Sequence, residues 1–126
     1  MATQTKRRLL VVEDNLLNLE MLRDWLDLEG YEVFSAENLC DAQAAFLSEE
    51  PEMVLLDIRL GPEDGTDFAL WVRSQDRLRD VPLIAVTAHA LREERDRILQ
   101  AGCNAVVSKP VEFKSLRAEM SRWWRR

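Results

Sequence analysis

The chain of 126 residues is about the size of one domain, and its 47% hydrophobic content supports one core but leaves little for a second. With 17 basic and 23 acidic side chains, its formal net charge is -6, so the surface as a whole repels phosphate backbones and we expect no nucleic-acid partner. The sequence contains neither a signal peptide nor an apolar run of about 18 residues, so we expect no membrane partner. The two cysteines form no CxxC pair, which favours reduced thiols and a cytoplasmic location.

Short apolar runs followed by helical patterns predict an alternating order of strands and helices. Four runs almost free of polar residues predict strands covered by helices on both faces, and a weaker strand is predicted near 32–35. The four runs are residues 9–12, 53–56, 83–86 and 105–107. Helices are predicted at 15–29, 39–48, 66–74, 91–100 and from residue 113 onwards. This alternation predicts an α/β fold with helices on both sides of a five-stranded parallel sheet.

Two segments of this pattern carry further predictions. Residues 59–65 contain two glycines and a proline, which predicts a loop. In the first helix, Leu16 and Leu19 fall outside the predicted core-facing stripe. That stripe follows the i, i+3, i+4, i+7, i+8 spacing and consists of Asn18, Met21, Leu22, Trp25 and Leu26.

Polar side chains follow each of the four apolar runs. Glu13 and Asp14 follow the first, Asp57 follows the second, Thr87 the third, and Lys109 lies just after the fourth. The carboxyl ends of parallel strands meet at one edge of a sheet, where ligands bind, so we expect these side chains to share a cleft. Carboxylates suit Mg²⁺, and Asp14 and Asp57 are the natural direct ligands, with Glu13 acting directly or through water. Acidic residues at a helix N-terminus are also an ordinary surface feature, so Glu13 and Asp14 alone decide little.

Asp57 is the side chain whose position most strongly indicates chemistry. A carboxylate at the end of an apolar strand is costly to bury unless it is coordinated or paired. Such a carboxylate can act as a nucleophile and form an aspartyl phosphate. Lys109 and Thr87 can then approach separate phosphoryl oxygens, with Mg²⁺ at a third. Taken singly, Thr87 could be a strand terminus and Lys109 a surface lysine, but their joint placement favours phosphoryl transfer.

The chain resembles the CheY-like receiver domains of response regulators, and it is most similar to single-domain regulators and hybrid-kinase receivers. The resemblance rests on the motifs VVEDN at 11–15, LLD at 55–57, VTA at 86–88 and SKP at 108–110. It implies a flavodoxin-like (βα)5 doubly wound sandwich with strand order 2-1-3-4-5. The receiver domain is expected at 9–124, with a flexible N-terminal tail at 1–8 and a C-terminal end at 125–126. The implied partners are a sensor histidine kinase or histidine phosphotransfer protein and a downstream protein target.

The resemblance also assigns roles around the metal. It makes Asp57 the phosphoacceptor, Glu13 and Asp14 the acidic metal pair, and the backbone carbonyl of Arg59 a further ligand. The implied cofactor is Mg²⁺, with Mn²⁺ as a possible substitute. The chain is then a phosphoacceptor signalling domain that catalyses only its own phosphorylation and dephosphorylation, and not an enzyme in the usual sense.

Further roles concern the switch. Thr87 is implied to be the switch hydroxyl, and Lys109 the conserved-type lysine before a cis peptide bond to Pro110. An aromatic rotamer switch is often found in the family three residues before that lysine, but Val106 occupies this position. An aromatic in-out switch is therefore excluded, and we expect the loop after Thr87 and the fourth helix to carry the signal.

Five residues are candidates for tuning and docking. Arg59 and His89 are implied to lie beside the path of the attacking water, and the small Ala88 should leave the site open to donors. The alternatives are an ion pair between Arg59 and Glu13, and packing or surface exposure for His89. Leu16 and Leu19 are predicted to dock the helical bundle that carries the donor histidine, although scattered exposed leucines are ordinary.

Other classes of function remain as alternatives. A receiver-like adaptor that works without phosphorylation would use the same fold, and an unreactive Asp57 would favour it. A flavodoxin is disfavoured because Glu13 and Asp14 would repel a phosphate in the absence of a metal. A haloacid-type phosphatase is disfavoured because no Asp-x-Asp follows the first strand.

Overall fold

A computed structural model describes residues 6–124, so the predicted C-terminal end at 125–126 and residues 1–5 of the predicted tail lie outside the described residues. The strands are β1 (Arg8–Val12), β2 (Glu32–Ala36), β3 (Met53–Asp57), β4 (Arg59–Leu60), β5 (Glu63–Asp64), β6 (Leu83–Thr87) and β7 (Ala105–Ser108). The helices are α1 (Leu16–Leu28), α2 (Leu39–Glu49), α3 (Gly65–Arg73), α4 (Arg92–Gln100) and α5 (Phe113–Trp123). Arg8, which the sequence pattern assigned to the tail, is the first residue of β1.

Five strands form one parallel sheet in the order β2-β1-β3-β6-β7. Counted within this sheet the order is 2-1-3-4-5, which confirms the flavodoxin-like prediction. Because strand side chains alternate in direction, successive residues of β1 join different cores: Leu10 and Val12 pack on one side of the sheet, Leu9 and Val11 on the other. The sheet is thus buried on both faces, as expected of a parallel sheet.

The helices divide between the two sides of the sheet. Helices α2, α3 and α4 supply buried residues to the core around Leu10, whereas α1 and α5 supply them to the core around Leu9. This doubly wound arrangement leaves the carboxyl ends of β1, β3 and β6 open at one edge of the sheet. Among residues 6–124, the structure contains no helix with the length and apolar character needed to cross a membrane.

The face that α1 presents to the sheet differs from the prediction. Leu19, Leu22 and Leu26 are buried, whereas Met21 is 53% exposed. The prediction that Leu19 lies outside the core-facing stripe, and could dock a partner, is therefore wrong. Apolar residues occur at so many positions of this helix that periodicity alone did not fix its rotation, and packing against the sheet selected the stripe through Leu19.

The segment predicted as a loop at 59–65 contains a short antiparallel hairpin. Strand β4 pairs with β5, with Arg59 opposite Asp64 and Leu60 opposite Glu63. At its turn, Gly61 has a φ of +60°, a conformation that favours glycine. The hairpin follows Asp57 directly and so borders the open edge of the sheet.

Aromatic contacts join the two helices on the α1 and α5 side. The rings of Trp25 and Phe113 stack with centroids 4.7 Å apart, and Arg117 of α5 donates a hydrogen bond of 2.7 Å to Glu29 after α1. These contacts hold α5 against α1 on this side of the sheet.

Candidate phosphorylation site

The structure brings the predicted polar residues together at the carboxyl edge of the sheet. Glu13 and Asp14 come directly after β1, Asp57 ends β3 and Thr87 ends β6. Lys109 directly follows β7, and its amide N–H donates to the carbonyl of Thr87 at 2.8 Å. The parallel register aligns these strand ends, so residues separated by up to about a hundred positions in sequence become neighbours.

Three carboxylates form the centre of the site. One oxygen each from Glu13, Asp14 and Asp57 lies within 4.8 Å of the others. Glu13 and Asp57 are 3% and 5% exposed, whereas Asp14 is open to solvent. Oε2 of Glu13 is buried and accepts no hydrogen bond, which is costly for a carboxylate oxygen. Oxygen ligands of this kind, with one exposed side for water, fit a small divalent cation such as Mg²⁺.

Lys109 provides the positive charge that faces these acids. Its Nζ donates to Oδ2 of Asp57 at 2.9 Å and lies 3.5 Å from Oε1 of Glu13. Partial burial alone would lower the pKa of Lys109, but the hydrogen bond and charge of Asp57, together with Glu13, raise it above its ordinary value. Lys109 is therefore held as an ammonium beside the proposed phosphoacceptor.

The pKa of Glu13 is the most perturbed in the site. Burial is the largest cause, and the neighbouring carboxylate of Asp57 adds to it, so that the pKa rises from 4.5 to about 7. Lys109 and Asn18 act in the opposite direction without cancelling the rise. Negative charge is thus poorly compensated at Glu13, and a bound cation would relieve it.

Asp57 and Thr87 are each tied to the loop that follows their strand. Oδ1 of Asp57 accepts a hydrogen bond of 3.1 Å from the amide N–H of Arg59. The buried Thr87 accepts one of 3.1 Å at Oγ1 from the amide N–H of His89. A change in the charge at Asp57 or in the position of the Thr87 hydroxyl would therefore act on these two loops.

The remaining predicted residues surround the site less closely. Ala88, His89 and the side chain of Arg59 are exposed, and the Lys109–Pro110 peptide bond is cis. Glu13 forms its ion pair with Lys109, so the alternative pairing with Arg59 is not found within residues 6–124.

Two features near the site carried no recognised sequence signal. A crevice of about 450 Å³ runs from the acids along α1 toward the start of α5, and it is lined in part by Met21, Val111 and Phe113. The second feature is an ion pair between Asp64, at the end of the hairpin, and Arg97 of α4. The Asp-Gly-Thr order at 64–66 could have indicated a helix N-cap at Asp64, but it gave no indication of a partner on α4.

A five-stranded parallel sheet with an acid cluster and a lysine at its carboxyl edge defines a class of phosphoacceptor protein, and sequence comparison agrees. The model of the response regulator receiver domain family matches residues 9–121. The chain therefore belongs to this family, and phosphorylation-dependent signalling in two-component systems is the family's standard function. Receiver domains are phosphoacceptor domains that bind Mg²⁺ in an acidic pocket and interact with histidine kinases or phosphotransfer proteins and with downstream targets.

Individual relatives agree with this assignment. The chain is 37% identical over 105 residues to the polar-differentiation response regulator DivK of Brucella anthropi. The matched segment covers 83% of this chain and 85% of the relative. It is similar to the receiver domain of the sensor histidine kinase PA1611 from Pseudomonas aeruginosa PAO1, with 33% identity, a TM-score of 0.86, and coverage of 94% of this chain and 98% of that one. That structure has a magnesium ion coordinated in its active site cleft. The chemotaxis protein CheY4 of Vibrio cholerae has a TM-score of 0.89 at 22% identity, covering 94% of this chain and 99% of that one, and shows the shared fold.

Proposed function

We propose that Asp57 accepts a phosphoryl group from a phosphohistidine donor and that the resulting change at the carboxyl edge of the sheet alters protein contacts. One observation carries the proposal: three carboxylate oxygens lie within 4.8 Å of one another, and Nζ of Lys109 lies 2.9 Å from Asp57. Glu13, Asp14, Asp57 and the carbonyl of Arg59 would hold Mg²⁺, or Mn²⁺ in its place. The receiver unit that we propose spans residues 9–124.

The chemical step is a transfer between two nucleophiles. A carboxylate oxygen of Asp57 attacks the phosphorus atom, an O–P bond forms, and the N–P bond to the donor imidazole breaks; the imidazole then takes up a proton. Bound Mg²⁺ supplies positive charge that offsets the repulsion between the carboxylates and the phosphoryl oxygens. The Lys109 ammonium, already beside Asp57, provides the protein's own share of this stabilisation.

The same residues connect the transfer to a change in shape. In the unphosphorylated structure, the Thr87 hydroxyl oxygen accepts a hydrogen bond from His89. A phosphoryl group on Asp57 offers strong acceptor oxygens. If the Thr87 side chain rotates so that its hydroxyl donates to one of them, Oγ1 moves away from the amide of His89 and that hydrogen bond is lost. This releases the loop between Thr87 and α4. The side chain at Val106 is aliphatic and 9% exposed, so no aromatic rotation contributes.

Other residues are proposed to control access and lifetime. We propose that the exposed side chains of Arg59 and His89 influence a water that attacks the phosphoryl group, so that the domain also catalyses its own dephosphorylation. Ala88, exposed and without a long side chain, leaves the site open to a donor. Leu16, 60% exposed at the start of α1, is proposed to contact the donor's helical bundle. A cytoplasmic location accords with the unpaired Cys40 and Cys103.

The test is phosphorylation by a small-molecule donor. The native protein, an Asp57→Asn variant and a matched Asp67→Asn variant are incubated with acetyl phosphate and Mg²⁺ and then analysed by intact-protein mass spectrometry. Asp67 is an exposed residue in the first turn of α3 and serves as the control. We expect one added phosphoryl group on the native protein and on the control, and none on Asp57→Asn.

A native protein that gains no phosphoryl group, from acetyl phosphate or from phosphorylated histidine kinases, would overturn the proposal. That result would instead favour the receiver-like adaptor that works without phosphorylation. A phosphoryl group found on Asp57→Asn would show that the acceptor is a different residue.

A further inference from the structure

Arg97 of α4 reaches across the surface to the hairpin that follows Asp57. Its Nη1 donates to Oδ2 of Asp64 at 2.9 Å and to Oγ1 of Thr66 at 3.1 Å, and its Nη2 donates to Glu94 at 2.7 Å. The guanidinium is thus held in one orientation by three oxygen atoms. It joins α4 to the junction between the hairpin and α3, 33 residues earlier in the chain.

Asp64 lies at that junction, and both of its carboxylate oxygens accept hydrogen bonds there. Oδ1 accepts hydrogen bonds from the amide and the hydroxyl of Thr66, at 2.9 and 2.8 Å, and so caps α3, while Oδ2 accepts from Arg97. Partial burial alone would raise the pKa of Asp64, but the hydrogen bonds from Thr66 and Arg97 hold it below its ordinary value. Asp64 is therefore fixed as a carboxylate between α3 and α4.

The hairpin connects Asp64 to the phosphorylation site through a few direct backbone contacts. Asp64 pairs with Arg59, whose amide N–H donates to Asp57 and whose carbonyl is proposed as a metal ligand. The next residue, Gly65, donates a hydrogen bond of 2.7 Å to the carbonyl of Ile58. A Cβ on Gly65 would lie 2.9 Å from the Cα of Ile58 and would overlap the carbonyl oxygen of Asp57. The base of the hairpin is thus packed directly on the backbone of Asp57 and Ile58.

We propose that Arg97 is a positioning residue for the metal and phosphoryl site, acting through Asp64. It holds the hairpin so that the carbonyl of Arg59 and the carboxylate of Asp57 keep the geometry that Mg²⁺ requires. This inference rests on the proposed function, because it assigns a role in holding the same metal. It also gives α4 a second connection to the site, independent of the loop that follows Thr87.

The coupling acts in both directions. If the contact between Arg97 and Asp64 strengthens metal binding, then a bound metal must stabilise the same contact by an equal amount. A protein that binds α4 and draws Arg97 away from the hairpin would therefore weaken the metal site. Conversely, a bound metal ion would stabilise α4 in the position seen here.

The test compares Mg²⁺ dissociation constants, measured from amide chemical shifts, for the native protein and for Arg97→Gln, Arg97→Lys and Arg95→Gln. Arg95 is a matched control because it has the same charge on the same helix. Its side chain lines a different surface groove, formed by residues of α4, β7 and α5. We expect Arg97→Gln to weaken Mg²⁺ binding about fivefold, Arg97→Lys to recover most of the loss, and Arg95→Gln to match the native protein.

The sign of the effect separates positioning from charge. Removing a positive charge near the site should by itself strengthen cation binding, so a weakening in Arg97→Gln can arise only through structure. Amides of residues 59–65 in metal-free Arg97→Gln should also exchange their hydrogens faster than in the native protein. When Asp64→Asn is combined with Arg97→Gln, we expect no further weakening beyond that of Asp64→Asn alone.

Two outcomes would overturn the inference, and only one of them would also contradict the proposed metal site. If the native protein binds Mg²⁺ but Arg97→Gln has a dissociation constant within about twofold of it, Arg97 has no positioning role and the proposed function stands. If the native protein itself shows no Mg²⁺ binding, the proposed metal site and the inference both fall.

Discussion

Replacing Glu13 with glutamine should change how the stability of the metal-free protein depends on pH. Glu13 is buried beside Asp57, and one of its oxygens accepts no hydrogen bond. The folded state therefore favours the protonated form, and the pKa rises from 4.5 to about 7. Glutamine has nearly the same shape but no charge at any pH, so the variant should behave like the protonated native protein throughout.

The sign of the effect follows from the raised pKa. Below a pH of about 4.5, Glu13 is protonated in both the folded and the unfolded chain, and its contribution to stability is fully present. As the pH rises through about 7, the folded protein must also release the proton, and the contribution is lost. A rise of the pKa from 4.5 to about 7 corresponds to at most about 3 kcal/mol in the free energy of unfolding.

The assay is urea denaturation at pH 5 and pH 8 in buffer freed of divalent cations. The matched control is Glu20→Gln, since Glu20 is an exposed glutamate on α1. Between pH 5 and pH 8, the native protein and the control should lose about 1 to 3 kcal/mol of stability relative to Glu13→Gln. Parallel profiles for all three proteins would refute the reasoning, because they would mean that Glu13 ionises in the folded protein without an energetic cost.

Three further predictions concern the metal and the packing. Mg²⁺ binding should weaken by up to about tenfold per pH unit below pH 7, because the ion must displace the proton of Glu13. Titration calorimetry or NMR can measure the dissociation constant at each pH, and a constant affinity from pH 5 to pH 8 would contradict the prediction. Gly65→Ala should destabilise the fold by about 1 to 3 kcal/mol in urea denaturation, since its Cβ would press on the backbone of Ile58; an unchanged midpoint would show that the hairpin can move aside. Leu19→Ala should cost about 2 to 5 kcal/mol while Leu16→Ala stays within about 0.5 kcal/mol, and equal costs would contradict the observed rotation of α1.

The sheet and the centre of the site could be predicted because each depends on a local pattern. Strands buried on both faces require unbroken apolar runs, and the polar residues that end them must meet at one edge. Glu13, Asp14, Asp57, Thr87 and Lys109 could therefore be grouped from their positions alone. The parallel register brings these residues into one site, because it places the ends of β1, β3 and β6 side by side.

Features that depend on side-chain packing between helices could not be predicted in this way. In α1, apolar residues lie on several faces, so the burial of Leu19 depended on how the helix rests on the sheet. The contact between Arg97 and Asp64 joins two charged residues on surfaces that each resemble an ordinary solvated face. Their pairing becomes visible only when the distance between α4 and the hairpin is known.

The positions of the tryptophans have a practical consequence for spectroscopy. Of the four in the sequence, Trp25, Trp123 and Trp124 pack against the core beneath α1 and α5, while Trp71 lies on α3 beside Phe46 and Phe68. Helix α4 contains no tryptophan. Intrinsic emission will therefore respond mainly to the side of the molecule where α1 and α5 are bound together, and a flat fluorescence trace upon activation says little about whether α4 has moved. A reporter group placed on the outer face of α4 would give the signal that the natural fluorophores lack.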